Sequence, residues 1–230
     1  MSEQTVASDE DVPAPVGSST GGQHELGRLV DTRVRRLLRT RESSTAVATL
    51  ARLRNNVGRP PGRDPSIWDV TLRDVSPDAR SDDPTTAERA VHAAMTLFAL
   101  HQQARDAPMH VRGVGFGRAV WQLGRARQDA DDGTGPVRRR FNIVVTASSV
   151  DDLTHHMRGL VTQMRGESIG LDYGALADDL LQFQRPGQAD AVRRRWGRQY
   201  HRLDKPGTVD DSTVSPTAST ESTDETEEHA

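Results

Sequence analysis

"TTAERAVHAAMTLFALHQQAR", residues 85–105, is the stretch that decides the fold class of this chain. Thr85 and Glu88 have the spacing of a capping box, in which the two residues satisfy each other's backbone N–H at a helix N-terminus. The apolar residues that follow recur every three or four positions, as Val91, Met95 and Phe98 do. Because this period matches the 3.6 residues of a helical turn, the stretch predicts a helix with one buried face.

Other segments repeat that period. "ELGRLVDTRVRRLL" places one group of apolar residues on a single helix face: Leu26, Val30, Val34, Leu37 and Leu38. "TAVATLARLRNNV" does the same with Val47, Leu50, Leu53 and Val57. A second capping box, Ser149 to Asp152, opens a helix with this buried stripe: Leu153, Met157, Leu160, Val161 and Met164. Asp64 and Asp172 are N-cap signals for two more helices, and "FGRAVWQLGRAR" predicts a short amphipathic one.

Only "FNIVVTA", residues 141–147, has the composition of a strand, and no second segment is present to pair with it. Its apolar residues also continue a helical pattern from the preceding "PVRRR". We therefore predict an all-α fold: a single helical-bundle domain of about eight or nine helices over residues 23–203.

The charge of the chain divides it into a basic body and two acidic ends. Residues 25–203 hold 29 Arg and 21 acidic residues, a balance of +8, although the whole chain has a net charge of −3. Residues 1–22 and 204–230 are rich in acidic residues, Ser, Gly and Pro and have few large apolar side chains. We predict that both are disordered acidic tails, because they have too little to bury to offset the entropy of ordering. The basic body favours polyanionic partners.

Several classes of protein are disfavoured by composition. The absence of cysteine excludes disulfides and thiolate zinc sites. The first residues lack the basic and apolar regions of a signal peptide, and the longest apolar stretch, "AAMTLFAL", is far shorter than the ~20 residues of a membrane helix. We expect a cytoplasmic protein with no membrane contact.

No enzyme site is recognisable. "GVGFG", residues 113–117, lacks the glycine spacing and the preceding strand of a nucleotide loop, so it predicts a connector. His155 and His156 are adjacent and would point ~100° apart on a helix, which does not suit a shared metal ion. The acidic pairs, Asp178–Asp179 among them, are interpreted as loop, cap or helix-surface residues. We therefore predict no enzymatic activity, no metal, no cofactor and no small-molecule substrate.

Arginine is the remaining signal, in three clusters at residues 33–41, 138–140 and 193–198. A planar guanidinium binds phosphate through two parallel hydrogen bonds and stays charged. The alternative for any single arginine is that it lies on a solvated helix face or pairs with an acidic residue of the same chain.

Five segments, in order, resemble a known family: "MTLFALHQQ", "VGFGRAVWQL", "RRRFNIVVTASSVDDLTHHMRGLV", "LDYGALADDLLQF" and "VRRRWGRQYHR". Together with "LARLRNNVGRPPG" they look like CasB, the small subunit of the type I-E CRISPR Cascade surveillance complex. The likeness runs from about residue 26 to residue 203.

The resemblance implies a non-catalytic, all-helical subunit, present as two copies packed head to tail beside the large subunit and the backbone subunits. Its basic surface is expected to hold the guide RNA and target region and the displaced DNA strand. By that likeness the family's basic positions fall on Arg54, Arg118, Arg139, Arg140 and Arg158.

The last helix, "AVRRRWGRQYHRL", residues 191–203, divides into two faces. Val192, Trp196, Tyr200 and Leu203 fall on one side and predict a core stripe, with Arg193 at its edge, snorkelling or paired with an acid. Arg194, Arg198 and Arg202 form a line on the other side, with Arg195 beside it. The full set of candidate nucleic-acid-binding residues is Arg52, Arg54, Arg118, Arg138, Arg139, Arg140, Arg158, Arg194, Arg195, Arg198 and Arg202.

Three rival hypotheses remain open. A helix-turn-helix regulator would need a recognition helix, and the candidate "SSVDDLTHHMRG" begins with two aspartates that repel phosphate. A metal-dependent helical nuclease would need several carboxylates to converge. A scaffold without nucleic-acid contact would leave the arginines as solvated faces.

Overall fold

The computed structural model describes residues 21–75, 81–129 and 134–201, with side chains from residue 25 onward. These ranges contain nine α-helices: α1 (Gly21–Arg39), α2 (Ser44–Asn55), α3 (Trp68–Thr71), α4 (Thr86–His101), α5 (Phe116–Ala126), α6 (Pro136–Thr146), α7 (Val150–Gly166), α8 (Tyr173–Phe183) and α9 (Ala189–His201). A single bridge between His110 and Leu171 is the one β-type pairing in the same ranges. The prediction of an all-α domain is confirmed, and "FNIVVTA" lies mostly in α6.

The predicted tails fall almost wholly outside the described residues. Only Gly21 and Gly22 of the first tail are described, and they belong to α1. None of the described helices combines the length and the apolar character needed to cross a bilayer.

Helix α4 lies at the centre of the bundle. Its capping box is confirmed: the Thr85 hydroxyl accepts from the Glu88 N–H at 3.1 Å, and the Glu88 carboxylate accepts from the Thr85 N–H at 2.7 Å. It packs against α1, α2, α7 and α8, so every residue from Ala90 to Ala99 is buried. The predicted single buried face was too narrow, because neighbours surround this helix on all sides.

The buried face of α2 differs from the prediction by one position. Leu50 and Leu53 are buried as predicted, whereas Val47 is 53% exposed and Ala46 is buried in its place. Within the bundle α2 contacts mainly α4, so only a narrow stripe is covered, and Val47 lies ~100° around the helix from Ala46.

Ser149 caps α7 as predicted, but the reciprocal half of its capping box does not form. The Ser149 hydroxyl accepts from the Asp152 N–H at 3.1 Å, whereas the Asp152 carboxylate accepts from the Ser148 N–H at 3.2 Å. Aspartate is one methylene shorter than the glutamate of a capping box, and Asp152 also pairs with His156 at 3.0 Å. The predicted apolar stripe of α7 is buried throughout.

The connection of α5 to α9 depends on a glycine. A Cβ built on Gly117 would lie 2.0 Å from the carbonyl oxygen of Trp196, so only glycine permits this approach of the two helices. Trp196 is fully buried and meets Phe116 edge-on, with ring centroids 5.0 Å apart. The predicted core stripe of α9 is confirmed for Val192 and Trp196 and in part for Tyr200, whereas Leu203 lies outside the described residues.

Candidate nucleic-acid interface

The three consecutive arginines of α6 point in three directions. Arg138 covers the ring of Tyr200 in α9, with Cζ 4.5 Å from the centroid, and Nη1 contacts Nε2 of His201 at 3.1 Å. Arg140, on the other flank, lines a depression between α5, α6 and α7. Arg139 lies between them and is exposed. Because successive helical residues are ~100° apart, the cluster provides one outward cation and two that border neighbouring helices.

On α9 two members of the predicted line of arginines, Arg194 and Arg198, are described. Both side chains are exposed, one turn apart, which is ~6 Å along the axis. The third member, Arg202, lies outside the described residues.

Arg195 does not belong to that line. Its Nε lies 3.0 Å from Oδ1 of Asp179, and its guanidinium also donates to Oε1 of Gln182. Arg193 pairs with Asp190 at 2.7 Å, donates to the Ala147 carbonyl at 2.8 Å and covers the ring of Phe183, as its position at the core edge predicted. The two arginines therefore hold α9 to the rest of the fold.

The sequence interpretation of Asp179 as a loop, cap or surface residue was wrong. The side chain is buried and accepts the indole N–H of Trp196 at 2.6 Å. Burial raises the pKa of Asp179 to about 6, against the opposing effects of Arg195 and the Trp196 hydrogen bond. A buried carboxylate is tolerated at this position of α8 because α9 brings a cation, Arg195, and a hydrogen-bond donor, Trp196, to it.

A second group of arginines lies at the end of α2. Arg52 is exposed and Arg54 is half-buried, both in the last turn of the helix. Nη1 of Arg158, from α7, lies 3.8 Å from the place that a Cβ on Gly58 would take, just past the end of α2. The structure thus brings Arg158 beside the helix end that carries Arg52 and Arg54.

Arg118 lies on α5 together with an aromatic residue that the sequence analysis did not single out. Cζ of Arg118 lies 4.8 Å from the ring centroid of Trp121, and Cζ of Arg125 lies 5.9 Å from it. The i−3 and i+4 spacing of the two arginines around Trp121 was the available signal.

Much of the first arginine cluster serves the fold. Arg33 donates to the carbonyls of Val70 and Arg73, and Arg41 donates to the carbonyl of Asp106. These contacts support the alternative of intramolecular roles for that cluster.

A buried network at α1 was also missed. Asp31 accepts from Arg112 at 2.7 and 2.5 Å and from Nε2 of His110 at 2.9 Å. The Arg112 hydrogen bonds hold the pKa of Asp31 below its ordinary value. Asp31 and Arg112 are 81 residues apart, so no local sequence pattern could predict their contact.

Two features bear on the rival hypotheses. In the part of the chain that the structure describes, no three His, Asp or Glu side chains are grouped so that they could hold a metal ion. Helix α7, which a helix-turn-helix regulator would place in a DNA groove, packs against α4, α5 and α6. Its first turn carries Asp151 and Asp152.

A family model for CRISPR-associated protein Cse2 matches residues 49–201. The fold is similar to the crystal structure of CasB from Thermobifida fusca, with a TM-score of 0.63 and 39% sequence identity over 77% of this chain and 98% of that chain. It is also similar to a chain in a CRISPR RNA-guided surveillance complex, with a TM-score of 0.60 and 23% identity over 76% and 93% of the two chains. A Cse2-family protein from Thermus thermophilus gives a TM-score of 0.54 and 24% identity over 74% and 96%. The last two likenesses show a shared fold. No curated protein matches the sequence significantly.

Proposed function

Because the chain belongs to the CRISPR-associated Cse2 family, we propose that it is the small, non-catalytic subunit of a guide-RNA surveillance complex of the Cascade type in antiviral defence. The proposed partners are the guide RNA with its target DNA, the large and backbone protein subunits, and a second copy of this chain packed head to tail. A chain of the same fold within a CRISPR RNA-guided surveillance complex supports this assignment.

The proposed task of the subunit is to hold nucleic-acid backbone, above all the displaced DNA strand, without reading its sequence. The observation that carries this is the state of three arginines: Arg139, Arg194 and Arg198 are exposed and make no side-chain hydrogen bond or ion pair to other described residues. Such cations, on a body with a balance of +8, are free to neutralise phosphates. In guide-directed systems the guide RNA recognises the target sequence by base pairing. A protein subunit that holds the displaced strand therefore needs to contact only its backbone.

The contacts of the arginines rank the candidate residues. Arg52, Arg54 and Arg158 support a second contact region at the end of α2, and Arg118 and Arg140 border the α5 and α6 surface. Arg138 lies on the opposite flank of α6, where its guanidinium covers the ring of Tyr200. We remove Arg195 from the set because its guanidinium is committed to Asp179.

The proposal is tested by purifying the tagged full chain from cells that express the remaining subunits and a guide RNA. The expected result is recovery of the guide RNA and the large protein subunits with the tag. A complex assembled without this chain should bind target DNA but should release the displaced strand faster, measured with a fluorophore on that strand. Recovery of the chain alone, or displaced-strand release at the same rate with and without it, would contradict the proposal.

A further inference from the structure

Trp121 lies on the outward ridge of α5 between two arginines. Residues 118, 121 and 125 fall within ~60° of one another around a helix. The opposite side of α5 is buried through Phe116, Ala119 and Leu123. The two guanidinium carbons lie 4.8 and 5.9 Å from the indole centroid, within the range of a cation–π contact. The ridge therefore presents an aromatic face and two positive charges together.

The other two tryptophans are explained by the fold, whereas Trp121 is not. Trp196 is fully buried and its indole N–H donates to Asp179 at 2.6 Å. Trp68 is 45% exposed, and its indole N–H donates to the carbonyl of Gly62 at 2.9 Å. Trp121 is half-buried, and its indole N–H has no acceptor in the described residues. A side chain with this large an aromatic surface and an unused donor is suited to an external ligand.

We propose that Trp121 is a stacking site for an unpaired nucleobase of the bound strand, with Arg118 and Arg125 contacting the phosphates on either side. This rests on the proposed function and adds to it a preference for single strands. Every base has a π face, so stacking on an indole tolerates any sequence. A base inside a duplex is already stacked on both faces and is not available to the indole. The site would thus select unpaired DNA without reading its sequence.

The spacing of the three side chains suits one nucleotide. Arg118 and Arg125 are seven residues apart, which is ~10 Å along the axis of α5, with Trp121 between them. Arg125 is exposed, and its flexible stem allows the guanidinium to turn from the indole to a phosphate while the indole face is taken by the base. The planar Arg118 group also offers a second stacking surface to the neighbouring base.

The test compares two single strands of equal length and phosphate number, oligothymidylate and a strand of abasic residues, bound to the full chain and followed by fluorescence polarisation. The wild type should bind oligothymidylate roughly tenfold more tightly than the abasic strand. Trp121→Ala should lower that tenfold ratio to about one and leave the affinity for the abasic strand unchanged. Trp68→Ala is the matched control, because it deletes the exposed tryptophan outside α5 and should preserve the ratio.

A second measurement does not depend on the folding of a Trp121 variant. In Trp68→Phe, the half-buried Trp121 is the remaining tryptophan that solvent reaches, since Trp196 is fully buried. Oligothymidylate should quench its fluorescence, and the abasic strand should not. Equal, salt-dependent binding of both strands without quenching would overturn the stacking site alone and leave backbone binding intact. Failure of both strands to bind, in isolation and in the assembled complex, would overturn the stacking site and the proposed function together.

Discussion

The indole N–H of Trp196 donates to Oδ2 of Asp179 at 2.6 Å, and both side chains are buried where α8 meets α9. Arg195 approaches the second carboxylate oxygen of Asp179 at 3.0 Å. One acidic residue of α8 therefore orients the tryptophan that fills the C-terminal core and holds the arginine that precedes it. This relationship separates the structural arginine of α9 from the exposed pair, Arg194 and Arg198, that we propose to contact nucleic acid.

The first prediction concerns the pH dependence of stability. Burial raises the pKa of Asp179 to about 6 in the folded chain, above the value of roughly 3.9 in an unfolded one. The folded state then binds more protons than the unfolded state between these two values, so this group lowers the free energy of unfolding as pH rises from 4 to 6. Asp179→Asn has no proton to lose. Urea denaturation gives the free energy of unfolding of the variant and of the wild type at each pH. Between pH 4 and pH 7 the difference between the two should shift in favour of the variant by up to about 3 kcal/mol. Parallel pH profiles for the two proteins would contradict the assignment.

The second prediction separates Arg195 from its neighbour Arg194. Arg195→Ala leaves the buried Asp179 without its cation and should lower the free energy of unfolding by roughly 1–3 kcal/mol. Arg194→Ala removes an exposed side chain without a described partner and should change it by less than about 0.5 kcal/mol. Urea denaturation with a constant m-value measures both. Equal effects of the two substitutions would contradict a structural role for the Arg195–Asp179 contact, and the reverse order would show that the two faces have been exchanged.

The third prediction tests the contact of α5 with α9. Gly117→Ala places a Cβ 2.0 Å from a backbone oxygen, which cannot move as a side chain does, so the cost should be at least about 1–3 kcal/mol. Gly124→Ala in the same helix is the matched control, because its Cβ would meet Asp129 and Tyr200 at 3.7 and 3.9 Å, ordinary contact distances. Alanine is the better helix former, so the control should be neutral or slightly stabilising. Thermal unfolding of the two variants provides the comparison, and similar melting temperatures would exclude the close approach.

The sequence was informative wherever the cause of a structure is local. The Thr85–Glu88 capping box, the Asp64 and Asp172 caps and the apolar stripe of α7 depend on residues a few positions apart, and all were predicted. The burial of Trp196 was also predicted, because Trp196 follows Val192 by four residues and so lies on the same face of α9.

Features set by distant residues were missed. Which residue of α2 is buried, Ala46 or Val47, depends on where α4 lies, and both choices fit a helical period. Asp179 looked like a surface acid because Arg195 and Trp196 follow it at a distance of 16 and 17 residues, in another helix. The division of the arginines into structural and exposed ones follows from such pairings, so it needed the packed fold.

The last prediction concerns the exposed pair on α9. Arg194→Glu with Arg198→Glu should weaken retention of the displaced DNA strand by the assembled complex, because two cations one turn apart become anions. In the isolated chain, the slope of the logarithm of single-strand affinity against the logarithm of salt concentration should become shallower by at least about 1.4, since each lost phosphate contact accounts for ~0.7. Arg36→Glu with Arg39→Glu, an exposed pair at the end of α1, applies the same change in charge outside the proposed surface. If both double variants reduced retention equally, net charge alone would explain binding. If only the α9 variant did, and its urea midpoint stayed at the wild-type value, Arg194 and Arg198 would be established as contact residues of the strand.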